Sequence, residues 1–333
     1  MENNEKKIVK CELLWSRSCL LKCSYCSMAT GAKNTVSLEL WKEGMDQLKK
    51  LNCDFLAIYG AEPLEEFSHK LPKVIEYAEK IGIHTTLITS GITKDLNYKL
   101  RTLYEHGLRS VTTSYDMSPL DHSSGLKTSK ALEVISMFRS FGNVRDVAVV
   151  ATLTNKNFRL LPTTIREMSR SNIWTFFDLI HPDRHQPGSK VRNTNLDLMF
   201  SADDLKELAY VLREVITMKK RGYLCHASEI FMNHIISHQN DIYKWNCSKE
   251  SSFPAWITVD CDGVVMPCDD FHSWTCTQPF KIWNLEDEWN DFCKFQKEMV
   301  SLYCPGCCWN THIDACAIKS GKLPLTDYIH GTK

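Results

Sequence analysis

The sequence predicts an α/β protein in which helices cover a parallel sheet, followed by a smaller cysteine-rich region. Between about residues 8 and 225, apolar runs of strand length alternate with segments of helical period, a pattern typical of parallel sheets. After residue 240 the pattern changes to short segments rich in Trp and Cys. A (βα)6 partial TIM barrel and an open doubly wound sheet both fit the alternation.

Six strand–helix units make up the predicted sheet domain. The predicted strands are Ile8–Trp15, Phe55–Tyr59, Thr85–Thr89, Ser110–Ser114, Val147–Thr152 and Trp174–Ile180. The predicted helices lie near residues 38–51, 65–81, 93–106, 127–141, 158–171 and 202–220. We therefore expect residues 1–225 to form the sheet domain. Residues 226–333 should form a bridging helix and a small module that is stabilised by metal.

The composition describes a globular chain without a charge bias. Of its 333 residues, 43% are apolar, and Lys plus Arg equals Asp plus Glu at 40 each. A neutral chain has no general attraction for nucleic acids or membrane surfaces. No run approaches the ~18 apolar residues of a membrane span, and residues 1–7 lack the apolar segment of a secretory signal. We expect a cytoplasmic protein.

Cysteine is unexpectedly abundant for such a protein. In a reducing compartment, cysteines at short fixed spacings are more often metal ligands or catalytic groups than disulfides. Three of the 15 cysteines lie within residues 19–26, nine lie within residues 247–316, and Cys11, Cys53 and Cys225 stand apart. This distribution predicts two metal sites, one near each end of the chain.

The first cysteine cluster directly follows the first predicted strand. Cys19, Cys23 and Cys26 have the spacing C-x3-C-x2-C. Three thiolates on one loop can bind three irons of a [4Fe–4S] cluster and leave the fourth iron open, as a reactive cluster requires. A zinc site and structural cysteines are the alternatives that this spacing leaves open.

This loop resembles the signature of the radical S-adenosylmethionine (SAM) superfamily, C-x3-C-x-aromatic-C, with Tyr25 at the aromatic position. The resemblance implies a (βα)6 partial TIM barrel and an open iron that chelates the amino and carboxylate groups of SAM. It also implies an electron donor such as flavodoxin or ferredoxin as a partner.

Later segments continue the resemblance at the carboxyl ends of the predicted strands, where parallel α/β folds bind ligands. Gly60-Ala61-Glu62-Pro63 resembles the family's Gly-Gly-Glu-Pro motif, whose backbone and glutamate would receive the methionine amino group. By the same resemblance the ribose hydroxyls would contact Ser114 and Asp116, the adenosine would contact Thr152 and Asn155, and Ser90 stands where many relatives carry Asn. A plain turn at residues 60–63 is the alternative.

The second cysteine cluster resembles the twitch domain, the shortened form of the SPASM extension of radical SAM enzymes. The pattern C-x15-G-x4-C…C-x2-C is formed by Cys247, Gly263, Cys268, Cys304 and Cys307. Residues 257–268 resemble the family's hairpin, in which Asp262-Gly263 suits a two-residue turn. The four cysteines would bind one auxiliary [4Fe–4S] cluster. A zinc knuckle is the alternative.

The remaining cysteines of this region leave the ligand set open by one member. Cys261, Cys308 and Cys316 are alternate ligands. A full SPASM domain needs C-x2-C-x5-C-x3-C and a later cysteine, and this departure favours one auxiliary cluster over two. We expect Cys276 and Cys293 to be buried apolar residues and His312 to be a spare surface histidine.

The resemblance implies that cleaved SAM provides a 5′-deoxyadenosyl radical, which abstracts a hydrogen atom from the substrate. Loss of an electron from the substrate radical would give oxidation. Return of a hydrogen atom from a thiol would give epimerisation, and Cys225 is a tentative hydrogen donor, with structural burial as the alternative.

The substrate class is weakly encoded. Eighteen residues precede Cys19, fewer than a leader-recognition domain needs, so we expect a small polar metabolite or a short peptide. A basic segment could bind an anionic group and contains Arg184, His185, Lys190 and Arg192. Modification of a nucleotide or nucleic-acid base is a second hypothesis, and a non-catalytic zinc-binding interaction protein is a third.

Overall fold

The computed structural model describes residues 8–26, 28–181, 196–240, 242–243, 245–250, 252–268, 280–304 and 306–325. The strands are β1 Lys10–Ser16, β2 Phe55–Gly60, β3 His84–Thr89, β4 Ser110–Ser114, β5 Asp146–Leu153, β6 Trp174–Leu179, β7 Trp256–Val259 and β8 Val265–Met266. The helices are α1 Leu38–Lys50, α2 Lys70–Lys80, α3 Leu96–Glu105, α4 His122–Ser140, α5 Leu161–Arg170, α6 Ala202–Lys220, α7 Glu229–Ser237, α8 Trp289–Tyr303 and α9 Asn310–Lys319.

The eight strands form one sheet in the order β6-β5-β4-β3-β2-β1-β7-β8. Strands β1 to β6 are parallel, and each lies beside its neighbour in sequence. A doubly wound sheet would reverse its strand order at a switch point. The observed order therefore excludes that alternative and confirms the predicted α/β fold with consecutive strand–helix units.

The sheet curves around an interior that its own side chains line. Alternate residues of each strand point to the same face of a sheet. Phe55, Ala57 and Tyr59 of β2 line one internal cavity together with Trp174 and Phe176 of β6, at the far end of the row of six parallel strands. Strands that are distant in the strand order thus face one another, as in the predicted partial barrel.

Local sequence explains where the covering helices begin and which face they bury. The hydroxyl of Ser37 accepts the backbone N–H of Leu40 and caps α1. Ser201 and Asp204 form a capping box at the start of α6. Buried residues of α1 include Trp41, Met45 and Leu48, whose spacing of three and four places them on the face that packs against the sheet.

Helix α4 begins five residues earlier than the sequence predicts, at residue 122 instead of 127. The first turn, His122-Ser123-Ser124-Gly125, is polar and lacks the apolar period that marks a helix. The carboxylate of Asp121 accepts the N–H of Ser124 at 2.8 Å and caps the helix. A cap therefore determines this boundary, and apolar periodicity does not.

The cysteine-rich region joins the sheet and the core of the first domain. Strand β7 is parallel to β1, with Lys10 opposite Trp256, and β8 pairs with β7 in an antiparallel hairpin. The 15-residue helix α8 was not predicted, and its Trp289 and Phe292 belong to the same buried cluster as Trp15 of β1. The division into residues 1–225 and 226–333 stays a prediction, since the two parts share one sheet and one core.

The hairpin turn is longer than the predicted two-residue turn. Val259 and Val265 are the last paired residues, and five residues connect them. The N–H of Gly263 donates to the carbonyl of Asp260 at 2.8 Å, and Gly263 has a φ of +79°. The predicted hairpin is therefore present, with glycine in the left-handed position at the end of the four-residue turn 260–263. None of the described helices is long and apolar enough to cross a membrane.

Replacing Phe292 of α8 with alanine should lower the free energy of unfolding of the whole chain by about 3–5 kcal/mol, because it leaves a cavity in the shared core. Phe292 is fully buried. Chemical denaturation followed by circular dichroism measures the change. Leu302→Ala on the same helix is the control, because Leu302 is 65% exposed. Two separate unfolding transitions would contradict a shared core.

Candidate active site

A cavity of about 760 Å³ lies at the carboxyl ends of the parallel strands; we call it the rim cavity. The first cysteine cluster lies on the loop after β1, and the other lining residues come from the ends of β2, β3 and β4 and from α4. The residues that line it include Cys19, Cys23, Tyr25, Cys26, Tyr59, Gly60, Ala61, Ile88, Ser90, Ser114 and Lys127. Residues that are distant in the sequence thus meet at the edge where parallel folds bind ligands.

The structure brings the three predicted cluster ligands to one cavity wall. Cys19 and Cys23 are half-buried and Cys26 is exposed. Burial, and to a smaller extent the charge of Cys26, raises the pKa of Cys19 and of Cys23 to about 11. Iron displaces such protons when it binds a thiol, so this donor set suits a group that needs three thiolates.

The spacing of the described ligands is relevant to the kind of metal site. Among the described residues, no three His, Cys, Asp or Glu side chains lie close enough together to hold a single metal ion. Ligands to different irons of one cluster stand further apart than ligands that share one ion. The zinc site that the spacing left open would need its ligands around one ion, whereas three thiolates of one loop can bind separate irons of a cluster.

A buried polar network fixes the side chain of Tyr25. The Tyr25 hydroxyl donates to Oδ2 of Asp116 and accepts from the ammonium of Lys127. Lys127 also forms an ion pair with Asp116 at 3.0 Å and lies 4.9 Å from the centre of the Tyr25 ring. Because Asp116 and Lys127 are 1% and 7% exposed, water hardly weakens these contacts.

The first residues of α4 hold the backbone of the cysteine loop. The N–H of Ser24 donates to Oδ2 of Asp121 at 2.7 Å, and the N–H of Lys22 donates to the hydroxyl of Ser123 at 3.0 Å. Sequence reasoning missed Asp121, Ser123 and Lys127. Asp121 could have been found as a helix cap, but no local pattern links it to a loop about 100 residues away.

Gly60 lets the turn after β2 approach the end of β1. Its φ is +137°, and a Cβ at this position would lie 2.2 Å from the carbonyl oxygen of Ser16. The N–H of Ala61 donates to that same oxygen at 2.9 Å. Gly60 and Ala61 line the rim cavity as predicted, and Pro63 is buried behind it.

The contact of Glu62 with a ligand stays a prediction, and its carboxylate contacts protein groups in this structure. Glu62 is fully buried and does not line the rim cavity. Oε1 accepts the hydroxyl of Thr89 at 2.6 Å and the N–H of Leu64, and Oε2 accepts the N–H and hydroxyl of Ser90 at 2.8 and 2.5 Å. Burial raises the pKa of Glu62, although these donors oppose the shift. Glu62 therefore positions Ser90, which does line the cavity.

The contact of Asp116 with ribose hydroxyls also stays a prediction. Its Oδ2 accepts from Tyr25, from Lys127 and from Ser124 at 2.6 Å, and the residue lies behind the cavity wall. Ser114 lines the rim cavity as predicted. Thr152 and Asn155 are not among its described lining residues, so their contact with adenosine stays a prediction.

A second cavity of about 240 Å³ lies inside the curved sheet; we call it the barrel cavity. It shares Tyr59 and Ile88 with the rim cavity. Its lining includes charged and aromatic residues that the sequence reasoning did not select, among them Lys10, Glu12, Asp146, Asp178, Trp174 and Trp309. The two cavities therefore adjoin through the side chains of β2 and β3.

The second cysteine cluster gathers around one buried core of the C-terminal region. Cys247, Cys268 and Cys316 belong to that core, and Cys304 packs against it. Burial, followed by the charges of Cys304 and Cys316, raises the pKa of Cys247. Cys316, an alternate in the sequence prediction, therefore lies beside two of the first-choice ligands.

The other two alternate ligands, Cys308 and Cys261, lie outside this buried core. Cys308 belongs to the core cluster beneath α6 and α7, and its N–H donates to Nε2 of His181 at 2.9 Å. Cys261 lies in the hairpin turn, where its N–H donates to Asp260 at 2.7 Å. Cys307 is buried, and its N–H donates to the carbonyl of Trp245 at 3.0 Å. Cys293 is half-buried on α8.

Two further expectations concern single residues. Cys225 is fully buried in the core cluster beneath α6 and α7 and lines neither cavity, as the alternative of structural burial expects, and its assignment as a hydrogen donor stays a prediction. His312 is 2% exposed and stacks on Trp256 at 4.1 Å, so it is no surface residue. The basic residues Arg184, His185, Lys190 and Arg192, together with Cys276, lie outside the described residues.

No known family profile matches the sequence, but the fold is similar to solved structures. Streptococcus suis SuiB bound to S-adenosylmethionine superposes with a TM-score of 0.63 and 16% identity over 85% of this chain and 66% of that chain. Native anSMEcpe with bound AdoMet and Cp18Cys peptide superposes with a TM-score of 0.60 and 16% identity over 97% of this chain and 96% of that chain. At such identities the likeness shows a shared fold. The chain spans about two thirds of the length of SuiB.

Replacing Asp121 with alanine should loosen the cysteine loop, because Ser24 loses its acceptor and α4 loses its cap. We expect a stability loss of about 1 kcal/mol and faster hydrogen exchange at the amides of Lys22 and Ser24. Ser37→Ala is the control, because it removes the cap of α1 without touching this loop. Equal exchange in both variants would show that α4 does not hold the loop.

Proposed function

We propose that this chain, which has the fold of the radical SAM enzymes with a cysteine-rich C-terminal domain, is itself a radical SAM enzyme. The observation that carries the proposal is that Cys19, Cys23 and Cys26 line the same rim cavity as Gly60 and Ser90. Neither the convergence nor the direction of these side chains follows from fold alone, since other folds of this class lack such a loop.

The residues of the rim cavity fit a [4Fe–4S] cluster and SAM. Three thiolates would hold three irons, and Ser90 and Ser114 offer hydroxyls to SAM. When bound, the cluster and SAM supply a 5′-deoxyadenosyl radical that removes a hydrogen atom from the substrate. The buried contacts of Tyr25 with Asp116 and Lys127 keep the loop in place. An electron donor such as flavodoxin or ferredoxin would be required.

The barrel cavity suits the substrate because it adjoins the rim cavity. Tyr59 and Ile88 face both, so a molecule in the barrel cavity lies next to the cofactor. We infer a small polar metabolite or a short peptide. SuiB has been solved with its precursor peptide SuiA and anSMEcpe with the Cp18Cys peptide, which supports the peptide.

Oxidation is the outcome that the side chains favour over epimerisation. Epimerisation would need a thiol facing the substrate, and none of the described cysteines lines the barrel cavity. The loop of the second cysteine cluster lies next to it instead, since Trp309 lines the cavity two residues after Cys307. A cluster bound there would be well placed to accept an electron from the substrate.

The other hypotheses have less support. A zinc-binding interaction protein would need ligands grouped around one ion, and the described residues offer no such group. Modification of nucleic acid finds no support in a net charge of zero.

Anaerobically purified protein should contain about eight irons and eight sulfides per chain, as two cubane clusters require, and should release 5′-deoxyadenosine from SAM under reducing conditions. The triple variant Cys19→Ala, Cys23→Ala, Cys26→Ala should keep about four irons and release no 5′-deoxyadenosine. Cys293→Ala is the control and should match the unaltered protein. Colourless protein that contains only zinc would refute the proposal.

The fourth ligand of the auxiliary cluster can be assigned by iron content. Because Cys316 lies in the same buried group as Cys247 and Cys268, Cys316→Ala should lose about four irons, as should Cys247→Ala. Cys308→Ala should lose none, since Cys308 belongs to a different core cluster. If Cys316→Ala kept its full iron content and Cys307→Ala lost iron, the fourth ligand would be Cys307, as the sequence predicts.

A further inference from the structure

Asp178 is a carboxylate on the wall of the barrel cavity. Its Oδ1 accepts the N–H of Asn310 at 2.7 Å, which fixes the side chain. The side chain lines the cavity and is half-exposed to it. Burial raises the pKa of Asp178 to about 8. In the part of the chain that the structure describes, no Lys or Arg forms an ion pair with this carboxylate.

The other charges around the cavity are already matched. Lys10 forms an ion pair with Glu12 at 2.7 Å. Arg145 pairs with Glu79 at 3.2 Å, and His84 lies 3.7 Å from the same carboxylate. Asp146 lies at the opposite end of the cavity, at the start of β5, where Ser110 and Arg145 oppose the rise of its pKa caused by burial. His226 and His312 complete the titratable groups of the wall. Among the described residues, Asp178 therefore has no ion-pair partner, and the nearby charges of Lys10 and Glu12 shift its pKa in opposite directions.

Aromatic rings surround the approach to Asp178. Phe176 precedes it by two residues on the same face of β6, and Trp309 precedes the residue that donates to it. Trp309 is held by a contact of 3.9 Å between its ring centre and that of His181. Tyr59 and Trp174 add further rings to the wall. Ring faces attract cations, most strongly where water is excluded.

One buried polar atom of the cavity wall lacks a hydrogen-bond partner within the described part of the chain. Nδ1 of His312 has no hydrogen-bond partner among the described residues, and this side chain lines the cavity as well. Buried polar atoms are normally paired, so an unpaired one in a cavity wall indicates that a polar ligand completes the site.

The position of Asp178 relates this site to the rim cavity. Val150 pairs with Ser114, and Thr152, two residues further along β5, pairs with Asp178. Asp178 thus lies at the carboxyl end of β6, at the same edge of the sheet as Ser114, which lines the rim cavity.

We propose that the barrel cavity binds a primary ammonium group of the substrate, with Asp178 as its counter-ion and the rings of Phe176 and Trp309 beside it. The statement that this ammonium belongs to a substrate rests on the proposed function, whereas the cation site itself does not depend on it. A cation there would stabilise the ionised form of Asp178, which burial disfavours, whereas an anion would be repelled by that form and a neutral group would leave its burial uncompensated.

Binding of n-butylammonium to the full-length, anaerobically purified protein without SAM tests the site. Isothermal titration calorimetry and ligand-observed NMR should detect n-butylammonium, and 1-butanol and butyrate should bind at least tenfold more weakly. Asp178→Asn should weaken n-butylammonium binding at least tenfold, because it removes the charge and keeps the shape. Asp178→Glu should recover part of the affinity.

Asp146→Asn is the matched control, since it removes a carboxylate from the other end of the same cavity, and it should bind n-butylammonium as the unaltered protein does. Circular dichroism confirms that each variant is folded. Unchanged affinity in Asp178→Asn, or equal affinity for 1-butanol, would overturn the inference. Because the measurement needs no SAM cleavage, failure of the proposed function would appear separately, as absent 5′-deoxyadenosine with intact ammonium binding.

Discussion

The buried ion pair between Lys127 and Asp116 is the contact on which the architecture of the site depends. Both side chains are almost fully removed from water, and both contact the hydroxyl of Tyr25. A buried charge that lost its partner would be costly, so the loop has one strongly favoured position. The position of the loop in turn determines where the three cysteines lie at the rim of the sheet. In this way a helix of the barrel determines their position.

The same principle connects the C-terminal region to the barrel. Arg17, two residues before Cys19, donates to both oxygens of Asp260 in the hairpin turn at 2.9 and 2.8 Å. Asn310 donates to Asp178 at the end of β6. Both cysteine clusters are thereby fixed relative to the cavity between them. A reaction that passes an electron from a substrate to a second cluster needs such a fixed arrangement.

The strands were predictable to within two residues because each is a short apolar run bounded by polar turns. The three cysteines were predictable because they share one loop. The directions of the side chains at the strand ends were not predictable from the sequence. Glu62 and Asp116 have the residue types of ligand-binding groups, yet both point into the protein and position their neighbours. Asp178 could have been found from the sequence. Trp174, Phe176 and Asp178 are alternate residues of β6 and therefore share its inner face, where a carboxylate is unusual.

Strand β7 has a consequence beyond the site. It pairs with β1 along Lys10 to Leu13 and so covers the edge of a strand that is buried along its whole length. Uncovered apolar edges recruit strands from other molecules. The C-terminal region therefore protects this edge, and a chain without β7 would expose β1 to pairing with strands of other molecules.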